Sequence, residues 1–500
     1  MVDLSTVVAR GLSCESLATT FSTHGLVSIN AITVSTGVSI PVPSNCVLPG
    51  FEPQSVAAAL DLCHIALAIE TSTSSLTHMD AWLPTSGWNG RLLGTGTGGL
   101  SGCVDFEGLG YGSSLGFATI GTDAGHSGPT AAAFLNAPDV LLDFFGRAMH
   151  TEAVVGKQLV KAFYGSAAAR SYYMGCSQGG RQGFQAASDY PYDFDGVLAG
   201  DPALNIYNLV TWFGVASKPF LAGTPGALTP PQWEIVHDEA FRQCDALDGK
   251  LDRTIAYPEK CNFDVTPLLK KGLNTFQVNG LKKLYTDVYG PDGKLFFPRY
   301  SPGAENSGPI FNYTFTGAFP ELSLVRIFRY AVYSDPDWDL RGFSLSDGDL
   351  IKRAKFPGTA FFGDLRKFKE RGGKILTYHG TQDTLITSTL SELQYAQAAL
   401  ETGDLKSFYA FYLVPGMDHC TNLGGTAKGP WRFGQMGNVP LPRTAANTSD
   451  SNALLALVDW VENGHAPGTL VGLTDDGEKR KLCRYPAQGH WHGDVWKCGS

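Results

Sequence analysis

The chain has 500 residues, 43% of them hydrophobic and 17% charged, with a net charge of −9. The length exceeds one small domain, and an apolar fraction this large with so little charge excludes a disordered chain. The acidic balance excludes a dedicated nucleic-acid binder, which shows a basic stripe, and no run reaches the ~18 apolar residues of a membrane span.

Ten cysteines are spread over the chain, at 14, 46, 63, 103, 176, 244, 261, 420, 483 and 498. No Cys-x-x-Cys pair occurs, which argues against a zinc ribbon or a thioredoxin-type site. An even count of scattered cysteines indicates disulfides and an oxidising compartment. An intracellular protein with free thiols is the alternative. Two sequons, Asn312-Tyr313-Thr314 and Asn447-Thr448-Ser449, agree with secretion and glycosylation. Met1-Val2-Asp3 has neither a basic nor an apolar leader character, so we read a mature secreted, extracellular chain.

In chain order, residues 1–50 alternate Val, Ile and Thr with Ser and Pro and predict short strands and loops. Residues 55–63 predict a helix, and 65–69 and 79–83 predict strands. Trp88-Asn89-Gly90-Arg91 predicts a hairpin-like turn before a strand at 92–93, followed by a glycine loop at 94–102. Apolar spacing predicts a helix over 141–163, a strand at 171–174, a helix over 178–189 and a strand at 196–199. After Asp201-Pro202 the pattern changes. Up to about residue 355 no clear strand–helix alternation is visible, and aromatics are dense (Trp212, Phe213, Trp233, Phe311, Tyr313, Phe315, Phe319, Phe328, Tyr330). The pattern resumes with a strand at 374–378, a helix over 388–402, a strand at 408–414 and an amphipathic helix over 450–463 closed by Gly464. Strands alternating with helices on both sides of an insertion predict a parallel sheet. The expected architecture is α/β: a hydrolase-type core in two parts, 1–202 and 356–500, with a large inserted lid at 203–355.

Gly175-Cys176-Ser177-Gln178-Gly179 matches the G-x-S-x-G nucleophile elbow. Its setting strengthens it: an apolar strand precedes it, a helix-compatible stretch follows, and small residues flank the serine where a strained turn needs them. A serine in an ordinary strand–helix turn is the plainer alternative. A serine nucleophile needs an adjacent base, and the expected chain order is Ser, acid, His. Among eleven histidines, His419 sits just after a late strand in Gly416-Met417-Asp418-His419-Cys420. Asp383, in His379-Gly380-Thr381-Gln382-Asp383, follows a strand that ends at the same sheet edge, and Asp201 is the second choice of acid. His379 is expected to hydrogen-bond structurally. Cys176 precedes the nucleophile and Cys420 follows the base, so a disulfide between them, which needs Cα atoms ~4.4–6.8 Å apart, would set Ser177 and His419 side by side.

Cys-Ser at the elbow with His-Cys at the base resembles the tannase and feruloyl esterase family of fungi and bacteria, over nearly the whole chain. Bacterial hydrolases of mono(2-hydroxyethyl) terephthalate are similar. The resemblance implies an α/β-hydrolase core with a lid, nucleophile Ser177, acid Asp383 and base His419. An oxyanion hole needs backbone N–H donors. The expected donors are Gln178, the residue after the nucleophile, and Gly99 in Gly96-Thr97-Gly98-Gly99-Leu100, unless those glycines serve only the turn.

Cys244-Asp245-Ala246-Leu247-Asp248-Gly249-Lys250-Leu251-Asp252-Arg253-Thr254 carries three carboxylates in eight residues. Such a cluster repels itself unless it holds a cation, and hard oxygen ligands suit Ca²⁺, although the loop is not an EF-hand. An acidic solvated turn is the alternative. The resemblance implies a structural calcium site in the lid, with carboxylates from Asp245, Asp248 and Asp252, backbone carbonyls from Lys250 and Thr254, and a Cys244–Cys261 brace. It likewise supports the pairs Cys14–Cys63, Cys46–Cys103 and Cys483–Cys498. His490-Trp491-His492 reads as an aromatic turn under the last disulfide rather than a metal site.

The expected activity is a secreted serine esterase acting on feruloyl and related hydroxycinnamoyl esters, as small aromatic esters or feruloylated oligosaccharides. The aromatic lid is expected to hold the phenolic ring. A tannase for galloyl esters, an esterase for small aromatic diacid monoesters, and a non-catalytic binding protein of hydrolase fold are the rivals.

Overall fold

The structure is a computed structural model describing residues 11–46, 54–305, 325–353, 361–420, 432–434, 447–474 and 477–499. The sequon at Asn312 and the aromatics Phe311, Tyr313, Phe315 and Phe319 lie outside the described residues.

Nine strands form the central sheet: β1 (Leu26–Val34), β2 (Leu62–Ser72), β3 (Ser75–Pro84), β4 (Arg91–Thr95), β5 (Ala118–Thr122), β6 (Arg170–Cys176), β7 (Gly196–Gly200), β8 (Lys374–Gly380) and β9 (Tyr409–Val414). Their order is β1-β2-β3-β5-β4-β6-β7-β8-β9. From β5 to β9 every pair is parallel. β1, β2, β3 and β5 pair antiparallel, so the sheet is mixed rather than wholly parallel. The reason is local: two residues join β2 to β3, which allows a hairpin but no crossover.

Helices cover both faces, and the strand pleat shows why. Tyr172, Leu198, Leu376 and Tyr378 point to one face, where they pack with Leu454, Leu457 and Trp460. Tyr173, Val197, Ala199 and Ile375 point to the other, against Phe184 and Ala398. The central strands are therefore buried almost end to end, as a doubly covered parallel sheet requires. The main covering helices are α1 (Phe106–Ser114), α2 (Ala148–Tyr164) and α3 (Gln178–Asp189) before the insertion. Within the insertion lie α4 (Ile206–Ser217), α5 (Pro230–Cys244) and α6 (Thr275–Leu284), and after it α7 (Thr389–Thr402) and α8 (Ala453–Asn463). Gly464 closes α8 in the left-handed conformation, φ 78°.

Several local expectations change. Residues 55–63 are not helical: Ser55–Ala57 is a short strand paired with Ser39–Pro41, and β2 begins at Leu62. Strand pairing there overrides the helix propensity of an alanine run. The turn at 88–91 leads into a strand whose partners are both parallel, so it closes no hairpin. The helix over 141–163 carries a wide turn at Asp143–Arg147 before α2, where buried Asp143 accepts hydrogen bonds from Thr71, Ser75 and Arg147.

Among the described residues between β7 and β8, the regular structure is mainly helical. Trp212, Phe213, Trp233 and Phe328 are buried in one apolar cluster with Phe297 and Tyr300, and Trp212 stacks on Phe297 with centroids 4.8 Å apart. These aromatics form a core rather than an open ring-binding surface.

Strand register aligns the chemistry. Cys176 pairs with Gly200, Gly200 with Tyr378, and Gly380 with Val414. The loops leaving β6, β7, β8 and β9 carry Ser177, Asp201, Asp383 and His419, so all four leave the same carboxyl edge of the sheet.

Candidate active site

Ser177 links β6 directly to α3 with φ 61° and ψ −120°. A non-glycine residue in that region is strained and persists only where its surroundings hold it. Here the Ser177 N–H donates to the Gly200 carbonyl at 2.9 Å, and its carbonyl accepts from Ala203 and Arg181 at 3.0 Å. The flanking glycines are a steric requirement. A Cβ on Gly175 would lie 2.7 Å from the Gly179 backbone, and one on Gly179 would lie 3.0 Å from the Thr97 carbonyl oxygen.

His419 Nδ1 donates to Asp383 Oδ2 at 2.8 Å. The other oxygen of Asp383 accepts from the Leu385 and Ile386 N–H groups at 2.7 and 2.8 Å. The His419 backbone N–H donates to Asp418 Oδ1 at 2.6 Å, and Asp418 also receives the Thr384 N–H and hydroxyl. The Cys176–Cys420 disulfide is present, with Cα atoms 5.9 Å apart. It bonds the residue before Ser177 to the residue after His419. The acid that meets His419 is Asp383. Asp201 turns its Oδ1 to the Gly380 N–H at 2.8 Å.

The electrostatics follow from this packing. Burial opposes the charged form of Asp383, but His419 and His379 outweigh it and hold the carboxyl well below the usual carboxylate range. Burial likewise opposes the His419 imidazolium, yet the Asp383 charge and hydrogen bond raise the ring above an ordinary histidine. Asp201 is pushed up to about 7, by burial first, with His379 opposing and Asp383 adding to the rise.

The glycine loop after β4 lies against the elbow. Gly96 N–H donates to the Met174 carbonyl at 3.0 Å, and Thr97 N–H donates to Gln182 Oε1 at 3.1 Å. Gly99 has φ 56°, and a Cβ there would meet no atom within 4 Å, so it borders open space. Gln178 is the first residue of α3, where a helical N–H has no intrahelical acceptor.

In the acidic loop, Asp245 accepts backbone N–H bonds from Arg253 and Thr254, each at 3.1 Å. Asp248 accepts from Lys250 N–H at 3.1 Å, and Asp252 from Arg480 Nη2 at 3.0 Å. Asp248 Oδ2, Asp252 Oδ1 and Thr254 Oγ1 are buried with no hydrogen-bond partner. Burial first, then the charge of Asp252, pushes the Asp248 carboxyl up to about 6. Buried oxygens left unpaired beside like charges are a donor set that a hard cation suits.

The remaining cysteines form Cys14–Cys63, Cys46–Cys103, Cys244–Cys261 and Cys483–Cys498. Residues 490–492 are not a turn but the end of a strand, Gln488–His492, paired with Val495–Gly499, and they are used in packing: His490 lies on Tyr257 with centroids 5.0 Å apart, and Lys250 Nζ sits 3.9 Å over the Trp491 ring. Asn447 is exposed. Sequence reasoning did not foresee that His379 reaches the acid itself, nor that His126 Nε2 lies 3.0 Å from the Leu100 carbonyl of the glycine loop. For His379 the available signal was its place four residues before Asp383 at a strand end.

A mixed sheet with helices on both faces, a strained serine elbow and a carboxylate-paired histidine at one strand edge define an α/β-hydrolase. The family model described as tannase and feruloyl esterase matches residues 67–278 and 358–498, and the chain belongs to that family. The probable feruloyl esterase B-1 of Aspergillus flavus is 38% identical over 491 residues, covering 92% of this chain and 90% of the relative. The probable feruloyl esterase B-2 of Aspergillus terreus is 39% identical over 488 residues, covering 91% and 88%. Among solved structures, feruloyl esterase B from Aspergillus oryzae superposes with a TM-score of 0.88 at 34% identity, covering 97% of this chain and 99% of that one. The tannin acyl hydrolase from Aspergillus niger, at 21% identity and a TM-score of 0.73, shares the fold.

Proposed function

We propose that the protein is a secreted serine esterase that hydrolyses feruloyl and related hydroxycinnamoyl esters of plant cell-wall polysaccharides. The observation that carries the chemistry is the His419–Asp383 hydrogen bond at 2.8 Å beside an elbow serine tied to it by Cys176–Cys420. The substrate class is supported by relatives named feruloyl esterase B at 38% identity over most of the chain.

Nδ1 of His419 faces a carboxylate, so it carries the proton and leaves the Nε2 lone pair as base. His419 takes the Ser177 proton, and Ser177 Oγ attacks the ester carbonyl. The N–H groups of Gln178 and Gly99 receive the developing oxyanion. The protonated His419 then gives its proton to the leaving alcohol or sugar. Water, deprotonated by the same ring, releases the acid from Ser177. Asp383 fixes the ring tautomer and stabilises the imidazolium.

Asp245, Asp248 and Asp252, with the carbonyls of Lys250 and Thr254, would hold a structural Ca²⁺, which neutralises the buried carboxylates and pins the loop to the end of α5. Five disulfides and the exposed Asn447 sequon support an extracellular, glycosylated protein. The test of the mechanism is Ser177→Ala with methyl ferulate, together with fluorophosphonate labelling of the wild type. Turnover by the alanine variant, or label on another residue, overturns it.

A further inference from the structure

A second histidine contacts the acid. His379 is the penultimate residue of β8, is fully buried, and places Nε2 2.9 Å from the Ile386 carbonyl, 3.2 Å from Asp383 Oδ2 and 3.7 Å from Asp201 Oδ1. All three neighbours are acceptors, so Nε2 carries a proton. Nδ1 lies 2.7 Å from Ser391 Oγ, a hydroxyl that can give or take a proton. The Asp383 oxygen that accepts the His419 hydrogen bond is therefore the one that His379 also approaches, from the end of β8 itself. The charged and titratable groups around the ring are Asp201 from the loop after β7, Asp383 from the loop after β8, and Glu392 from α7, whose carboxyl also feels His379. His419 shares Asp383 with it.

Resting on the triad reading above, we infer that His379 is a positioning residue for the reaction: its Nε2–H, bonded to the Ile386 carbonyl and 3.2 Å from Asp383 Oδ2, keeps that oxygen in line for His419 and tempers how strongly the carboxylate holds the His419 Nδ1 proton. Structural packing alone would not select this arrangement, because an apolar side chain fills a buried strand end without placing a donor on the catalytic carboxylate. Burial disfavours a charge on His379, but Asp201 and Asp383 outweigh it and raise the ring. Removing this donor leaves more negative charge on Asp383. That charge binds the His419 proton more tightly, so the neutral base appears only at higher pH.

The discriminating pair is His379→Gln and His379→Asn in the full chain. A glutamine amide reaches the Nε2 position and keeps a donor on Asp383. An asparagine amide reaches only the Nδ1 position beside Ser391. A misplacement of about 1 Å at such a site can cost on the order of 100-fold. H379N is expected to lose roughly 10- to 100-fold in kcat with KM little changed, and the acid limb of its kcat/KM profile moves to higher pH. H379Q stays within about tenfold of wild type. Equal losses in the two folded variants with an unmoved acid limb would overturn the inference and leave His379 a packing residue. Should H379N not fold, H379Q decides alone: a loss as large as that of Asp383→Asn overturns it. Ser177→Ala is assayed beside them, because turnover surviving there would refute the triad itself rather than the role of His379.

Discussion

Replacing Cys176 and Cys420 together by alanine removes the bond behind the proposed nucleophile and base without leaving a free thiol. The two cysteines are 244 residues apart in sequence. For a loop of that length the chain-entropy relation gives ~5.5 kcal/mol at 25 °C, against a typical 2–4 kcal/mol for measured disulfides. An unfolding entropy of ~2.1 cal/mol/K per residue makes about 1 kcal/mol/K for the chain, so Tm should fall by roughly 2–5 °C. Activity should fall further than stability. Ser177 is held in a strained conformation, and Cys420 beside the base is itself at φ 58°, so both sides of the dyad depend on the bond for orientation. The assay is calorimetry paired with steady-state hydrolysis of methyl ferulate well below the new Tm. An unchanged Tm together with unchanged kcat would refute the reasoning.

Ser177→Ala should lower kcat on the order of a million-fold while circular dichroism and Tm stay those of wild type. For pH, the base form of His419 must be neutral, and Asp383 raises its pKa against burial. Activity therefore rises with pH through a limb above the ordinary histidine value of about 6.5, while the stabilisation from the charged pair is present below that limb and lost above it. Asp383→Asn should move the limb down and cost about 10⁴-fold in kcat; a limb that stays in place would remove Asp383 from the triad. Excess chelator should lower Tm by a few degrees, since a metal at 100 times its Kd contributes about 2.7 kcal/mol. That protection should fade as pH falls through about 6, where the Asp248 carboxyl takes up a proton. No calcium-dependent shift on adding the metal back would remove the site.

What was legible in the sequence was local or doubly marked. The elbow could be read because its steric demand for glycine falls on two fixed neighbours of one serine. The pairing of Cys176 with Cys420 could be read because each adjoins a residue chosen for another reason. The carboxyl-edge strands stood out as apolar runs before the loops that carry Asp383 and His419. Non-local competition was invisible. The alanine-rich stretch near residue 57 looks helical until Ser39–Pro41 pairs with it. Trp212, Phe213 and Trp233 look available to a ring-shaped ligand until they are found in one core. An oxyanion donor is a backbone N–H and leaves no side-chain signal, so Gly99 could be placed only by analogy with other elbows. The approach of His379 to within 3.2 Å of the acid depends on how β8 ends beside Asp201, which sequence spacing does not encode.

Hydrolysis of hydroxycinnamoyl esters through Ser177 is decided by kcat/KM for methyl ferulate, methyl caffeate and methyl gallate, each measured on the wild type and on Ser177→Ala. The wild type should prefer the two cinnamates, and the variant should turn over none of the three. Preference for the gallate would contradict the substrate assignment, and turnover by the variant would contradict the mechanism.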